Sequence, residues 1–326
     1  MTITIRDVAS KAHVSVATVS RALSSPDLVR PDTRSRVLAA ATELGYQPNR
    51  AARGLITGKT GNIGVVVPDL DNPFYTGILK AAQTRAAHAD HAVFVANSDE
   101  DPAAEITIVR TMAKQVDGLI LCSPGLTDAQ IASVADTPLV LLNHLLPGVP
   151  STVMDSADGL GQVVAHLAAL GHSRIAYLSG PHTSWSNEQR RQGLAAAATE
   201  HFVELVELGP FAPRHEGGLQ ATDLALAAGV TAIMAYNDIM ALGVLARLRD
   251  RGLSVPDDIS VTGFDNLVYA SLTSPALTTV RMPLAVAGRT AATMLLDRFD
   301  ATDGPAPHVV LPTQLIVRGT TAPPPT

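Results

Sequence analysis

The sequence predicts an all-α helix-turn-helix head followed by a two-lobed α/β core with parallel sheets. Three observations carry this. Helix-capping residues stand eleven apart near the N-terminus, at Thr4 and Ser15. From Asn62 onward, short β-rich runs alternate with helical stretches, the pattern of parallel strands covered by helices. The chain has 326 residues with 46% hydrophobic side chains, beyond the size at which single cores split into domains.

The head begins with IRDVASKAHVSVATVSRAL, residues 5 to 23, which reads as two short helices. Thr4 caps the first, with Asp7 near its positive end, and Ser15 caps the second. Val8, Ala9, Ala12, Val14, Val19 and Leu23 meet inside the corner. A third helix from about Pro31 to Leu44 adds Val37, Leu38 and Ala41 and stops at Gly45. The second helix is left with Val16 and Ala17 outside, and Ser20 and Arg21 one turn on. Small apolar groups suit thymine methyls, Arg21 suits a guanine or phosphate, and a recognition helix reads base edges mainly from its N-terminal half. Ser15 and Thr18 complete the expected contact set. The alternative is a helical hairpin with no DNA role.

Charge supports the DNA reading. The formal net charge is −6, yet residues 1 to 60 carry 9 basic and 4 acidic side chains, so the remainder carries 15 and 26. A head of +5 sits on a body of −11.

The stretch YQPNRAARGLITGKT, from Tyr46, joins head to body. Pro48 and Asn49 start a helix of about two turns, which orders only against a partner because isolated helices below about 12 residues rarely persist. Arg50 and Arg53 suit phosphates, Leu55 suits a wedge into a minor-groove step, and Asn49 is counted with them among the expected DNA contacts. The alternative is a simple linker. Through these residues the chain resembles the lactose-repressor (LacI/GalR) family: its head pattern appears as DVASKAHVSVATVSRAL and its hinge pattern as YQPNRAARGL. One departure is His13, where the family usually has glycine at the turn.

In the body, NIGVVVPDL, HAVFVANS, VDGLILCS and PLVLLN form one group of expected strands, and RIAYLSG, TAIMAYN and ISVTGFD a second. The division near Asp155 gives two lobes with a cleft at their strand ends, where open sheets bind ligands. The resemblance continues through DNPFY, HLAALGHSRIAYLSGP, YNDIMALG, GFDN, PALTTVR and LPTQLIVRGT. It implies a core like a periplasmic sugar-binding protein, with crossings near Asp155, Pro283 and Leu311. The expected divisions are 1–46 for the head, 47–60 for the hinge and 61–326 for the core, with lobe one at about 61–156 and 283–311 and lobe two at about 157–282 and 312–326.

The resemblance also implies a ligand clamp of Arg190, Asn237 and Asp265, a planar fork, an amide and a carboxylate that together match sugar hydroxyls. Phe74 falls on the family's aromatic position, and Asn143, Asp155, Trp185 and Phe211 are further candidates. The structural alternatives are caps at Asn237 and Asp238, a turn closed by Asp265, and Phe74 packing against the sheet.

An enzyme is a rival reading. The sequence holds no G-x-S-x-G, H-E-x-x-H or P-loop, and the G-x-G at Gly159 and Gly161 lacks its third glycine, so no cofactor is expected. His88 and His91 are too close for a helical metal pair, and Cys122 is the single cysteine. A periplasmic receptor would carry a signal peptide, whereas Arg6, Asp7 and Lys11 interrupt that region, so a cytoplasmic regulator is expected. Its expected partners are double-stranded operator DNA, a sugar-like effector and a second copy of itself, with no membrane. The TAPPPT ending points to a dimer rather than a tetramer built on a terminal heptad helix.

Overall fold

The computed structural model describes residues 3–24, 26–46, 58–299 and 305–325, in two units, Met1–Thr60 and Gly61–Thr326. Among the described residues, the first unit holds three α-helices: α1 (Ile5–Ala12), α2 (Val16–Ser24) and α3 (Pro31–Leu44). Asp7 Oδ2 accepts from the Thr4 backbone N at 2.8 Å and its hydroxyl at 2.7 Å, which holds the carboxylate below its usual range. Ser15 Oγ accepts from Thr18 N at 3.1 Å and starts α2. His13 turns the corner with φ 53, and Gly45 closes α3 with φ 64. His is among the side chains that reach this left-handed region, at a cost glycine does not bear.

Val8, Ala9, Ala12, Val19, Ala22, Val37, Ala40 and Ala41 form the head's core, with Val14 and Leu23 packed on it. Leu38 is a correction: it is 41% exposed. Positions 37, 40, 41 and 44 make the i, i+3, i+4, i+7 stripe of α3, and Leu38 stands about 100° round the helix from Val37. An ion pair between Lys11 and Glu43 ties α1 to α3.

The second unit contains two parallel sheets. Lobe one has six strands in the order β11-β5-β4-β3-β1-β2: β1 (Asn62–Val67), β2 (Ala92–Asn97), β3 (Gly118–Cys122), β4 (Leu139–Leu142), β5 (Ser151–Met154) and β11 (His308–Leu311). Its side chains alternate between two buried faces. Ile63, Val65, Val67, Ile120 and Cys122 enter one core, and Val66, Leu119 and Leu121 the other. Lobe two has four strands in the order β7-β6-β8-β9: β6 (Arg174–Leu178), β7 (Glu204–Leu208), β8 (Ala232–Ala235) and β9 (Ser260–Thr262). β10 (Thr279–Arg281) and β12 (Gln314–Ile316) pair antiparallel.

The runs read as strands all form strands, and β5, β7, β10, β11 and β12 lie outside those runs. β5 opens with Ser151 and Thr152, polar residues that are buried here, Ser151 being bonded to His308 on β11 at 2.9 Å. β7 and β11 are sheet edges with exposed Glu204 and His308, so neither shows a continuous apolar run.

Three connections join the lobes: after β5, after β10 and after β11. Two are tied together where the Thr313 hydroxyl donates to the Asp155 carbonyl at 2.9 Å. Gly159 lies beneath them, where a Cβ would come within 2.8 Å of Thr313 Oγ1 and 2.9 Å of Val280. Beyond β12, Val261 N donates to the Thr320 carbonyl, and His172 bonds the Ala322 carbonyl, so the last stretch sews onto lobe two.

Candidate functional site

In the head, the outer face of α2 presents exposed Ser15, Val16, Ala17 and Arg21, with Thr18 and Ser20 half-buried. Buried Val19 and Ala22 point the opposite way, which fixes the orientation of this face. Ser15 and Thr18 share a bond of 2.9 Å at the helix start. Asn49, Arg50, Arg53 and Leu55 lie outside the described residues.

In the body, the strand ends of the two lobes face a cleft with two adjoining compartments. The inner one is lined by Phe74, Tyr75, Asn143, Arg190, Asn237 and Asp265, among others, and holds about 30 Å³; the outer one, with Glu100, Glu105 and Thr183, holds about 60 Å³. Helix α4 (Pro73–Ala87) brings Phe74 and Tyr75 from lobe one; its start is capped by Asn72, whose Oδ1 accepts from Phe74 N. Helix α8 (Trp185–Glu200), capped by Ser184, brings Arg190 from lobe two.

Arg190 is 4% exposed, with its guanidinium carbon 4.3 Å from the Tyr236 ring centre and 4.0 Å from that of Phe264. It donates to the Tyr236 carbonyl at 2.7 Å and stands 4.0 Å from Asp265. Its Nε is buried with no partner, an uncommon state for a charged donor. Asp265 holds a positive φ of 113, and burial pushes its carboxyl well above the usual range against the pull of Arg190. A fork with a free donor beside an uncharged-leaning carboxyl is equipped to bind a neutral group that both accepts and donates, such as a hydroxyl.

Asn237 does two jobs. Its Oδ1 caps helix α10 (Asp238–Asp250) by accepting from Met240 N, its Nδ2 donates to the Pro213 carbonyl, and it lines both compartments. Asn143, at φ 53, accepts from Met154 N and lines the inner compartment.

Three candidates lie off these two compartments. Asp155 caps helix α7 (Ser156–Ala169) by accepting from Asp158 N. Trp185 begins α8 with its ring 6.3 Å from that of His144, a contact between the lobes. Phe211 packs on the lobe-two core beside Gly209. In exchange, the cleft brings in Tyr75, Tyr236, Ser123 and Ser186, which the sequence reading did not single out. Tyr75 and Tyr236 stand beside Phe74 and Asn237 in the same motifs, so the motif located the wall of the cleft but not every side chain facing it.

The outer compartment is acidic. Glu105 is 3% exposed, accepts from Gly125 N at 2.9 Å, and is pushed up to about 7 by burial; burial also raises Glu100. At the mouth, Asp69 of lobe one meets Arg214 of lobe two at 3.1 Å.

A helix-turn-helix unit and a two-lobed α/β body with a polar cleft, in one chain, define a ligand-responsive DNA-binding regulator. Comparisons with known proteins agree. The description of bacterial regulatory proteins, lacI family, matches residues 4–49, and that of a periplasmic binding protein-like domain matches residues 164–321. The HTH-type transcriptional regulator GalS of Salmonella typhimurium is 37% identical over 321 residues, covering 95% of this chain and 94% of GalS. The lac repressor dimer bound to operator and the anti-inducer ONPF matches with a TM-score of 0.87 and 32% identity, over 99% of this chain and 100% of the other. The complex of the regulator CelR with cellobiose matches with a TM-score of 0.73 and 30% identity, over 98% and 99%. The chain belongs to the lacI family of bacterial regulatory proteins.

Proposed function

We propose that this regulator represses transcription as a homodimer on a near-palindromic operator, and that a neutral sugar or related polyhydroxyl metabolite in the cleft sets its DNA affinity. The buried Arg190 with its unpartnered Nε, next to Asp265, carries the ligand reading. Ser15, Val16, Ala17, Thr18, Ser20 and Arg21 read each half-site, with Asn49, Arg50, Arg53 and Leu55 following in the hinge. The head is placed at 1–46, the hinge at 47–60 and the core at 61–326. Arg190, Asn237, Asp265, Asn143 and Phe74 hold the effector, and Tyr75 and Tyr236 join them.

A dimer suits the body. Strand β2 is a sheet edge on which Phe94 and Val95 are 45% and 44% exposed, an apolar edge that a second copy would cover. Two-fold protein symmetry is then mirrored in the operator. The protein acts by binding, without a catalytic step. No described helix is long and apolar enough to cross a membrane, and a regulator working on DNA belongs in the cytoplasm.

The inner compartment's about 30 Å³ is far below the about 300 Å³ at the small end of ligand pockets. A sugar ring therefore seats against Arg190 only with the lobes rearranged, which gives the ligand a conformation to select. The test is a thermal-shift screen against sugars and nucleosides, since a ligand that binds only the native state raises the melting temperature. A hit that Arg190→Gln abolishes supports the site. A hit that the variant retains unchanged places the ligand elsewhere.

A further inference from the structure

Helix α4 packs against helix α12 (Leu284–Asp297) on lobe one, and the packing is close because glycines face the contact. A Cβ at Gly288 would fall 2.2 Å from the Ile78 carbonyl oxygen, and one at Gly77 would fall 3.1 Å from Leu284. Alongside this seam runs an open groove of about 330 Å³. Small residues Gly77, Ala81 and Ala285 contribute to its lining, and its basic side chains include Lys80, Arg85 and Arg289, with His88 beside them. Among the described residues, no acidic side chain lines it.

This concentration of positive charge stands in a body of net −11, where several of the other arginines are matched to carboxylates. Arg174 meets Glu204, Arg191 meets Glu188 and Glu207, and Arg247 and Arg251 share Asp223. Among the described residues, Lys80, Arg85 and Arg289 meet no carboxylate; Arg85 spends only its Nε, on Thr293 Oγ1 at 3.0 Å. The helix periodicity explains the convergence. Residues 77, 80, 81, 84, 85 and 88 lie on one face of α4, and residues 285 and 289 lie one turn apart on α12. Unneutralised cations around a concave surface leave a positive potential that a multiply charged anion would answer.

We infer that the groove between α4 and α12 is a binding site for a small phosphorylated molecule, with Lys80 and Arg289 on opposite walls gripping the phosphoryl group. Such a ligand differs from the neutral one suited to the cleft, whose outer compartment carries the carboxyls of Glu100 and Glu105. The groove and the cleft also share α4, whose first turn carries Phe74 and Tyr75 and whose later turns carry Lys80 and Arg85. A ligand that clamps α4 to α12 is therefore placed to bias the wall of the cleft.

The experiment is isothermal titration of the full chain with sodium pyrophosphate, at ionic strength held constant with sodium chloride. Three proteins are compared: wild type, Lys80→Ala/Arg289→Ala, and Lys114→Ala/Arg249→Ala, which removes the same charge from exposed positions elsewhere. Lys80 and Arg289 are exposed, so circular dichroism and melting of the first variant should match wild type. The expected result is saturable binding in wild type and in the remote variant, weakened at least about tenfold in the groove variant, as loss of about 1.4 kcal/mol requires. No saturable binding to wild type overturns the inference, as does equal binding by all three proteins. A short acidic peptide included in parallel separates the sources: if it binds through Lys80 and Arg289 and pyrophosphate does not, the groove takes an acidic protein segment and the small-molecule assignment fails.

Discussion

Replacing Arg190 by Gln tests the inner compartment without adding ligand. The substitution removes a cation held 4.3 and 4.0 Å from two ring centres, worth about 0.5–2 kcal/mol each. It also weakens a 2.7 Å bond to the Tyr236 carbonyl, worth about 1.5–3 kcal/mol when one partner is charged. Gln refills part of the space and can still donate, so the expected net loss is about 3 kcal/mol. For a body of this size that corresponds to a fall of roughly 6–12 °C in melting temperature. Asp265→Asn makes the contrast. Burial already holds the Asp265 carboxyl well above its usual range, so a neutral amide resembles what the site favours and should cost less than about 1 kcal/mol. An ionised carboxylate whose removal orphaned a buried arginine would instead cost about 3–5 kcal/mol. Urea unfolding near neutral pH, followed by circular dichroism, measures both variants. Arg190→Gln unfolding with wild type, or Asp265→Asn losing as much as Arg190→Gln, would refute the reasoning.

Other outcomes follow from the same geometry. Glu105 binds its proton more tightly folded than unfolded, about 7 against 4.5, so wild type loses stability as pH rises through that window. Glu105→Gln keeps an acceptor for Gly125 N and should gain over wild type between pH 4.5 and 7, levelling above 7 at no more than about 3 kcal/mol; a flat difference across pH would contradict this. Arg21→Ala should weaken operator binding by about 1–3 kcal/mol per contact while the protein melts unchanged, because Arg21 is exposed on α2; unchanged affinity in a gel-shift titration would remove Arg21 from the interface. His13→Gly should stabilise the head by up to about 1 kcal/mol, since relief of about 1–2 kcal/mol of left-handed strain at φ 53 outweighs the freedom glycine loses on folding, and a lower midpoint in the unfolding of the head would show that the imidazole contributes more than the strain it brings.

The fold was largely legible because its strongest signals are local. The caps at Thr4 and Ser15, the stop at Gly45 and the apolar runs of β1, β3, β4, β6 and β8 each announce an element within a few residues. Strands that owe their existence to a partner were not legible: β5 buries polar Ser151 and Thr152, Ser151 bonding His308 across the sheet, and edge strands β7 and β11 alternate with exposed charge or polarity. The cleft followed the same division. Arg190, Asn237 and Asp265 sit in recognisable motifs and converge, but which neighbour faces the cleft depends on helix phase and lobe packing. Hence Tyr75 and Tyr236 line it unannounced, while Asp155 is turned to capping and Phe211 to the lobe-two core. Leu38 shows the same limit within one helix, where a shift of one position exchanges core for solvent.

The central claim is that cleft and operator are linked through the arrangement of the lobes. Fluorescence-anisotropy titration of labelled operator, with and without the sugar found by thermal shift, tests it most directly when paired with titration of that sugar with and without operator. Linkage requires both experiments to report the same factor, and typical couplings of about 1–3 kcal/mol make it roughly 5- to 150-fold. Arg190→Gln should abolish the factor while leaving ligand-free operator affinity near that of wild type. Operator affinity that stays constant at saturating sugar, in a protein that binds both, would contradict the account.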